Sequence, residues 1–499
     1  MAEELLIDAS AFESRVALVK DGAVEELHIA RSAGFSVTGN IYLGKVVRIV
    51  TGMQAAFVDI GLERSGFLHA SDIVPGLVAT ANRVKGRKAS IRDLLHDGQE
   101  LLVQVERDPI GTKGPRLSTG LALASKYLVL LPRGDHVGLS QKIFDESERA
   151  RLFNVLGPLA QNNAVGLIGR TLSEGVSLAT LQEDFSHLLG LWTGLRETVA
   201  NALAPCQIFQ ELPIQTRLVR DLVGHDTSAI VVNDRQIHQR LEVYLNRYAP
   251  AYADRLRFYD EAKPIFERHN IEQEILLALE PRVQLKSGGS LVIEQTEAMI
   301  SIDVNTAGFL GSKSLEDTVY RTNLDAAAAI PRQLRLRNLG GIVVIDFIDM
   351  QEAAHREAVL ATLREALDRD PAKTQVEGFS FLGLVQLSRK RTRESLAQLM
   401  CSDCEQCSGS GIVKNAETVC MEILRTISAE VVSAKAFQIA DSGRYVVVAH
   451  SVVIDRLLEE EASAFRELAS QLEHEVHLRV DSAYRRDQFD LTFVRQTAA

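Results

Sequence analysis

The chain has 499 residues, of which 46% are hydrophobic and 24% charged, and its formal net charge is −11 at pH 7. At about 150 residues per domain, this length predicts roughly three units, each long enough to bury a core. The acidic balance excludes a protein that binds nucleic acid through its overall charge, so any such contact must come from local basic patches. The N-terminal MAEELLIDAS lacks the basic start of a signal peptide, and no apolar run reaches the roughly 18 residues of a membrane span, which predicts a soluble, cytoplasmic protein.

Short β-rich runs dominate the first part of the chain. Residues 1–36 predict three strands, which are too few to fold alone and must pair elsewhere. Residues 37–120 alternate β-rich runs with glycine turns, which predicts a small barrel of about five strands. Phe57 and Phe67, with Lys113 after them, indicate a barrel face that binds single-stranded nucleic acid, unless both phenylalanines lie in the core.

The middle of the chain mixes both types of element. Residues 126–210 predict a small α/β unit with a charged helix around DESERARLFNVL and a long amphipathic helix from about Leu178. Residues 211–279 predict the strands RLVRDLV and SAIVVN, followed by helices.

Residues 280–400 predict a regular order of elements. RVQLKSGG and SLVIEQ form a hairpin, MISIDVN a strand, LEDTVYRTNLDAAAAIPRQLRLRN a helix bent at Pro331, GIVVIDFIDM a strand and HREAVLATLREALDRD a helix. This strand–helix–strand crossover places the strands that carry Asp303 and Asp346 parallel in one sheet.

Asp303 and Asp346 interrupt strongly apolar strands, where an unpaired buried carboxylate is costly. On neighbouring strands about 4.8 Å apart, two aspartates at the same height can hold one divalent cation. An all-oxygen ligand set suits Mg²⁺, which neutralises charge on a reacting phosphodiester. Asn305 lies two residues past Asp303, on the same face, and can orient it. The alternative is a pair of strand-end aspartates that cap turns, and the spacing alone favours neither interpretation.

Two basic clusters lie close in sequence to these aspartates. Arginine binds phosphate through two parallel hydrogen bonds, so the clusters indicate phosphate contacts, although a charge run more often forms a solvated helix face. Their members are Arg332, Arg335, Arg337, Arg389, Lys390, Arg391 and Arg393.

Three of the five cysteines lie in CSDCEQCSGSG. Structural zinc usually takes four ligands, so Cys404 and Cys407 supply half a site, and a second copy of the chain can supply the other half. The alternative is three free thiols in a surface loop, and Cys401 has no assigned role. Residues 416–499 predict a small terminal unit with the strands RYVVVAH and VHLRV.

These segments resemble the ribonuclease E/G family over essentially the whole chain. The resemblance is carried by SIDVN, RQLRLRNLGGIVVIDFIDM, LKSGG, EQTEAM and SRKRTRES, while GNIYLGKV and GMQAAFVDIG are similar to the family's S1 barrel. The length and SKYLVLLP resemble the shorter ribonuclease G branch, since the long disordered tail of ribonuclease E is absent.

The resemblance implies an α+β multidomain fold. Its expected parts are an RNase H-like part (1–36 and 211–279), an inserted S1 (OB-type) β-barrel (37–125), a 5′-sensor subdomain (126–210), a DNase I-like catalytic domain (280–400), a zinc link (401–415) and a small C-terminal domain (416–499).

The resemblance also implies a function. The chain would be a Mg²⁺-dependent endonuclease that cuts single-stranded, A/U-rich RNA, prefers 5′-monophosphorylated ends, leaves 5′-phosphate and 3′-hydroxyl products, and acts in 16S rRNA 5′-end maturation and mRNA decay. An RNA-binding module with an inactive nuclease fold and a zinc-organised scaffold are the alternatives. The intact Asp303, Asn305 and Asp346 argue against the first, and the lack of a long polar tail argues against the second.

Site residues follow from the same resemblance. Asp303 and Asp346 would hold the Mg²⁺, with Asn305 positioning Asp303. The remaining expected contacts are RNA binding by Phe57, Phe67 and Lys113, a 5′-monophosphate pocket of Arg170 and Thr171 with Val129 behind it, and a Zn²⁺ ion that Cys404 and Cys407 share between two protomers of a homodimer or tetramer. Ser125 departs from the glycine that precedes the corresponding strand in ribonuclease E, and a serine in this region also resembles the ribonuclease G branch.

Overall fold

The computed structural model describes residues 3–31, 36–74, 90–109, 113–306, 315–391, 393–437, 443–472 and 474–495. Its contacts divide the chain into two compact units, Met1–Leu399 and Met400–Ala499. No helix in these described ranges is both long and apolar enough to cross a membrane.

The N-terminal segment forms three antiparallel strands, β1 (Glu3–Ala9), β2 (Glu13–Lys20) and β3 (Ala23–Arg31). The turn between β2 and β3 contains Asp21 and Gly22, which both have positive φ angles. An Asp-Gly pair tolerates that conformation, so the sequence favours a tight hairpin here.

A closed five-stranded barrel follows, as predicted. Its order is β4-β5-β6-β8-β7, and β7 closes it by pairing with β4. Alternate residues such as Val58 and Leu68 fill the interior, so the residues between them point outward. The elements are β4 (Ile41–Val50), β5 (Ala55–Asp59), β6 (Gly66–His69), α1 (Ile91–Leu94), β7 (Glu100–Arg107) and β8 (Arg116–Ser118).

Next comes a small α/β layer, in which both predicted helices are present. Its sheet has the order β11-β12-β10-β9, with α2 and α3 packed against it, while β13 pairs with β4 of the barrel. The elements are β9 (Leu123–Ala124), β10 (Leu128–Leu131), β11 (Val137–Leu139), α2 (Glu146–Asn163), β12 (Gly166–Gly169), α3 (Leu178–Ala200) and β13 (Cys206–Phe209).

The prediction of a strand at RLVRDLV is wrong, because these residues lie mainly in helix α4 (Ile214–Leu222). Ile214, Leu218 and Leu222 recur at helical spacing and pack into one core, and a short apolar run does not distinguish that period from a strand. The predicted strand SAIVVN is present. The following elements are β14 (Thr227–Val232), α5 (Arg235–Tyr248), β15 (Leu256–Phe258), α6 (Ile265–Arg268) and α7 (Ile271–Leu279).

Strand β14 completes the N-terminal strands. It pairs in parallel with β1 and β15, which gives the order β15-β14-β1-β2-β3. Leu5 and Ile7 of β1 pack in a core with α4 and α5, whereas Leu6 packs in another core with α6 and α7. The sheet therefore lies between two helical layers, as expected for a parallel pairing.

A six-stranded mixed sheet forms the last part of the first unit, in the order β16-β17-β18-β19-β21-β20. Strands β18 and β19 are parallel, as predicted, and α8 runs through Pro331 without a break. Helices α8 and α9 pack on one face. The elements are β16 (Arg282–Gln284), β17 (Ser290–Gln295), β18 (Met299–Asn305), α8 (Leu315–Leu336), β19 (Gly341–Asp346), α9 (Ala353–Leu367), β20 (Thr374–Phe379), β21 (Leu384–Arg389) and α10 (Leu396–Met400).

The second unit contains a three-stranded sheet in the order β23-β22-β24, and both predicted strands are present. Val447 of β22 packs with Ile427 and Leu457 in its core. The elements are α11 (Ala416–Phe437), β22 (Gly443–Ala449), α12 (Ser451–Glu459), α13 (Ala462–Ser470), β23 (Val476–Val480) and β24 (Phe489–Arg495).

A buried ion pair at the end of β21 leads to a stability prediction. The Arg389 side chain is 4% exposed and donates to both carboxylate oxygens of Asp370, which is fully buried. Arg389→Met leaves that carboxylate buried without its partner, so we expect the free energy of unfolding to fall by about 3–5 kcal/mol. Urea unfolding measures the loss, and hydrogen exchange of the β19 and β21 amides locates it.

The control is Arg369→Met, because Arg369 pairs with Glu365 at the surface, where the side chains are 70% and 77% exposed. Such a pair contributes about 1 kcal/mol or less. Equal losses for the two variants would contradict a stabilising role of the buried pair.

Candidate functional site

Asp303 and Asp346 end two neighbouring parallel strands, and each is the register partner of the other. Their Cα atoms are therefore about 4.8 Å apart. Both side chains are exposed, and they alternate with the buried Ile302 and Ile345. The carboxylates thus leave the sheet on the face opposite the helices, side by side, as the crossover predicts.

Asn305 holds one of these carboxylates. Its Nδ2 donates to Oδ2 of Asp303 over 2.6 Å, and the side chains share one face of β18. Two carboxylates on adjacent strands repel each other, and a divalent cation between them removes that repulsion. The donors are all oxygen, which fits Mg²⁺.

A second group of potential metal ligands was not identified from the sequence. Donor atoms of Glu316, Glu352 and His355 lie within 4.8 Å of one another. Glu316 is in the first turn of α8, Glu352 is the N-cap of α9, and the His355 ring stacks on Tyr320 at a centroid distance of 4.0 Å. Because α8 and α9 follow β18 and β19, this group lies at the sheet edge that carries the two aspartates. The i, i+3 spacing of Glu352 and His355 was its only sequence signal.

Most of the basic residues expected to bind phosphate have another role. Arg332 pairs with Glu274, and Arg335 pairs with Glu25. Three further guanidinium groups donate to backbone carbonyls, namely those of Arg337, Arg391 and Arg393. Arg389 binds Asp370. Six of the seven basic residues therefore make contacts that stabilise the fold, while the seventh, Lys390, is exposed.

The outer face of the barrel presents two aromatic rings. Phe57 and Phe67 are register partners, their ring centroids lie 6.0 Å apart in an edge-to-face arrangement, and both are half-buried outside the barrel core. The alternative that they are core residues is therefore wrong. Arg48 is the register partner of Phe57 and Arg116 that of Phe67. These two arginines were missed because strand register cannot be read from the chain.

Lys113 is exposed beside this face. The next residue, Gly114, brings the segment against β6, since a Cβ there would lie 2.1 Å from the carbonyl oxygen of Ser65. The Phe67 N–H donates to the Pro115 carbonyl, which fixes the approach. A glycine at 114 is thus required for Lys113 to follow the strand that carries Phe67.

Val129 lies on β10, and Arg170 and Thr171 directly follow the neighbouring strand β12 of the small α/β sheet. The Arg170 guanidinium donates to the carbonyl of Ser125 and to Oδ1 of Asp221, each over 2.6 Å. The Thr171 hydroxyl is 2.8 Å from that of Ser140 and is exposed. In the expected 5′-monophosphate pocket, Arg170 is therefore already paired with Asp221.

Asp221 was not predicted as part of this pocket. Burial raises its pKa, but the hydrogen bond and charge of Arg220 and the charge of Arg170 outweigh burial and hold the pKa below its ordinary value. Nearby, Lys126 is 1% exposed and donates to the carbonyl of Val223 over 2.9 Å. Burial, followed by the charge of Arg170, lowers the pKa of Lys126 to about 8. The pocket wall thus contains a network of charges, in which Lys126 and Arg220 are buried and Arg170 and Asp221 are half-buried.

Ser125 is buried, and its hydroxyl donates to the Leu128 carbonyl over 3.0 Å and contacts Asp184. These contacts stabilise the bend in the chain that precedes β10. Ser125 therefore has structural partners of its own.

Cys404 and Cys407 lie together in the second unit, with Cys407 half-buried and Cys404 exposed. Hydrogen bonds from the N–H groups of Gly411 and Gly409, with a further one from the Cys404 thiol, lower the pKa of the Cys407 thiol. Both glycines have positive φ angles. Thiolate sulfur is the donor that zinc prefers. Within the described residues, Cys401 does not extend the pair to a cluster of three ligands.

Comparison with known proteins identifies the chain's relatives. A model described as the ribonuclease E/G family matches residues 122–392, and one described as the RNase E/G thioredoxin-like domain matches residues 403–494. The chain is 43% identical over 497 residues to ribonuclease G of Escherichia coli strain K12, covering 99% of this chain and 100% of that protein.

Two further relatives agree with this. Ribonuclease G of Haemophilus influenzae is 42% identical over 493 residues, covering 98% of this chain and 99% of that protein. Ribonuclease E of E. coli K12 is 36% identical over 430 residues, covering 86% of this chain and 40% of that protein. The matches also give the small terminal unit a thioredoxin-like assignment that the sequence patterns did not provide. The chain belongs to the ribonuclease E/G family.

Proposed function

We propose that the chain is a Mg²⁺-dependent endonuclease of single-stranded, A/U-rich RNA that prefers 5′-monophosphorylated ends and acts in 16S rRNA 5′-end maturation and mRNA decay. At the coarser level the family assigns, it is an endoribonuclease, a hydrolase of phosphodiester bonds that acts in RNA processing and decay. The observation that carries the finer proposal is the in-register pair of Asp303 and Asp346 on an exposed sheet face.

The residues of this pair have separable tasks. When bound, Mg²⁺ activates water and neutralises charge that develops on the phosphate. Asp303 and Asp346 would hold the ion, and the hydrogen bond from Asn305 fixes the rotation of the Asp303 carboxylate. The exposed face leaves the open side of the site to the phosphodiester, since the opposite face is closed by α8 and α9.

Asp303→Asn tests the catalytic assignment. The amide keeps the shape of the side chain but removes a negative ligand, so we expect cleavage of a short fluorescent A/U-rich RNA to be abolished. RNA affinity, measured by fluorescence anisotropy, and circular dichroism stay unchanged.

Asp368→Asn is the matched control, because Asp368 is an exposed C-cap at the far end of α9. We expect this variant to cleave the RNA at the wild-type rate. If Asp303→Asn lost binding to the same extent as cleavage, the residue would be needed for binding or folding, and the catalytic assignment would fail.

The RNA path includes the barrel face. Phe57 and Phe67 supply stacking surfaces, and Lys113 with the neighbouring Arg48 supplies charge, the combination found in binders of single strands. A chain of net charge −11 repels RNA overall, so it binds RNA only through local patches such as this one.

The 5′ end of the RNA is assigned to Arg170 and Thr171, with Val129 behind them. The guanidinium is held in place by Ser125 and Asp221 before a ligand arrives, so little side-chain freedom is lost when a phosphate binds. The Thr171 hydroxyl is exposed beside it and can donate to a second phosphate oxygen. A 5′-hydroxyl end offers neither charge nor these acceptors.

Arg170→Gln tests this pocket. We expect cleavage of 5′-monophosphorylated RNA to slow to the rate for the 5′-hydroxyl RNA, while the latter rate stays that of the wild type. The ratio of the two kcat/KM values is the measurement. Arg151→Gln is the control, because Arg151 pairs with Glu148 on the surface of α2 in the same part of the chain. A ratio that survives Arg170→Gln would show that another group senses the 5′ end.

We propose that Cys404 and Cys407 share one Zn²⁺ with the same cysteines of a second copy, forming a homodimer that can pair into a tetramer. The support is their contact and the lowered pKa of Cys407, because zinc binds the thiolate form. Two sulfur ligands leave two of the four usual positions for the partner.

The double substitution Cys404→Ser with Cys407→Ser should remove zinc and give monomers, as measured by metal analysis and light scattering. Cys401→Ser is the control and should keep both the zinc and the dimer. A double variant that keeps the full dimer mass would refute the shared-zinc link.

A further inference from the structure

We propose that the turn Ser380–Gly383, through the ring of Phe381, is a stacking site for one unpaired base of the RNA beside the catalytic edge. The inference rests on the proposed function and adds to it a contact that lies in the same sheet as Asp303 and Asp346. It is distinct from the aromatic face of the barrel.

The turn is held firmly. The Gly383 N–H donates to the Ser380 carbonyl over 3.0 Å, and the Ser380 N–H donates to the Leu384 carbonyl over 2.8 Å. The Leu384 N–H in turn donates to the Ser380 hydroxyl over 3.2 Å. Gly383 has a φ angle of +81°, which disfavours other residues. A side chain at the tip is therefore presented by a fixed backbone, which reduces the entropy lost on binding.

The turn lies next to the paired aspartates. Leu384, the first residue of β21, is the register partner of Asp346, and β21 runs antiparallel to β19. Phe381 precedes Leu384 by three residues, so it lies within about 10 Å of chain from the neighbour of Asp346. When a phosphate of the RNA is held at the carboxylates, a base a few nucleotides along the same strand can therefore reach the Phe381 ring.

Phe381 is 96% exposed and its neighbour Leu382 is 67% exposed. Two residues earlier, Phe379 packs against the core and lies 5.9 Å from the ring of Phe347. Phe379 therefore anchors the hairpin in the core, whereas Phe381 is exposed at its tip. The ring of Phe381 buries almost none of its surface in the fold, so its faces are accessible to a ligand.

The surroundings favour a base over a backbone phosphate. Asp346 ends the adjacent strand, and a Cβ at Gly383 would lie 3.6 Å from Oδ1 of Asp349. Carboxylates repel phosphate oxygens, whereas a base is neutral. Every base has an aromatic face, so stacking on Phe381 positions the strand without requiring a particular sequence.

The test compares three variants of the full chain: Phe381→Ala, Phe381→Trp and the control Phe12→Ala. Phe12 is 81% exposed in the turn between β1 and β2, so its removal changes as much exposed apolar surface. For Phe381→Ala we expect KM for a short RNA to rise about 5- to 140-fold, with kcat unchanged because ground and transition states lose the same contact. Phe381→Trp should keep the wild-type KM, since the larger ring also stacks.

A binding measurement locates the base. Each variant is combined with Asp303→Asn, and RNAs with 2-aminopurine at successive positions around the cleavage point are bound. We expect strong fluorescence quenching at one position, lost with Phe381→Ala and kept with Phe381→Trp and Phe12→Ala.

Two results would overturn the inference: KM and quenching for Phe381→Ala equal to those for Phe12→Ala, or a lower oligomer mass in light scattering, which would make the turn a contact between copies. In either case wild-type cleavage leaves the proposed function standing. Absence of wild-type cleavage would instead remove the proposed function and this inference together.

Discussion

The parallel pairing of β18 with β19, at one register, is the constraint on which the candidate active site depends. Buried residues alternate with exposed ones on both strands, and Ile302 and Ile345 face the core with α8 and α9. A slip of one residue would turn every side chain of a strand to the other face and bury Asp303 or Asp346 in that core. Burial of an unpaired carboxylate costs several kcal/mol. The apolar residues thus select the register, and the register brings the carboxylates together.

Helix α8 links this site to the rest of the first unit. Its arginines pair with acids outside the mixed sheet, since Arg332 reaches Glu274 in α7 and Arg335 reaches Glu25 in β3. The buried Arg337 donates to the carbonyl of Glu280. Because α8 is also the crossover between β18 and β19, these bonds fix the aspartate-bearing sheet to the N-terminal sheet. Basic residues close in sequence to the proposed phosphate site can therefore stabilise the fold rather than bind the substrate.

How much could be predicted from the sequence depended on whether the signal was local. The β18–α8–β19 order fixed the parallel pairing, because crossover geometry allows few alternatives, and the pairing brought Asp303 to Asp346. RLVRDLV failed as a strand, because a short apolar run fits two periods. The partners of Arg170 could not be predicted either, since Asp221 approaches it across 51 residues through tertiary packing alone.

The positions of aromatic rings and charges show how an acidic chain can bind a polyanion. If the proposed contacts hold, phosphate is handled at separate points: by cation-bridged carboxylates at the sheet edge and by Arg170, which is already paired with Asp221. Between such points the overall charge of −11 opposes binding. Stacking is insensitive to net charge, so rings at the barrel face and at Phe381 can hold bases where phosphate contacts are unfavourable. Since a duplex hides its base faces, such a surface selects unpaired RNA by physical access, without any sequence-reading hydrogen bond.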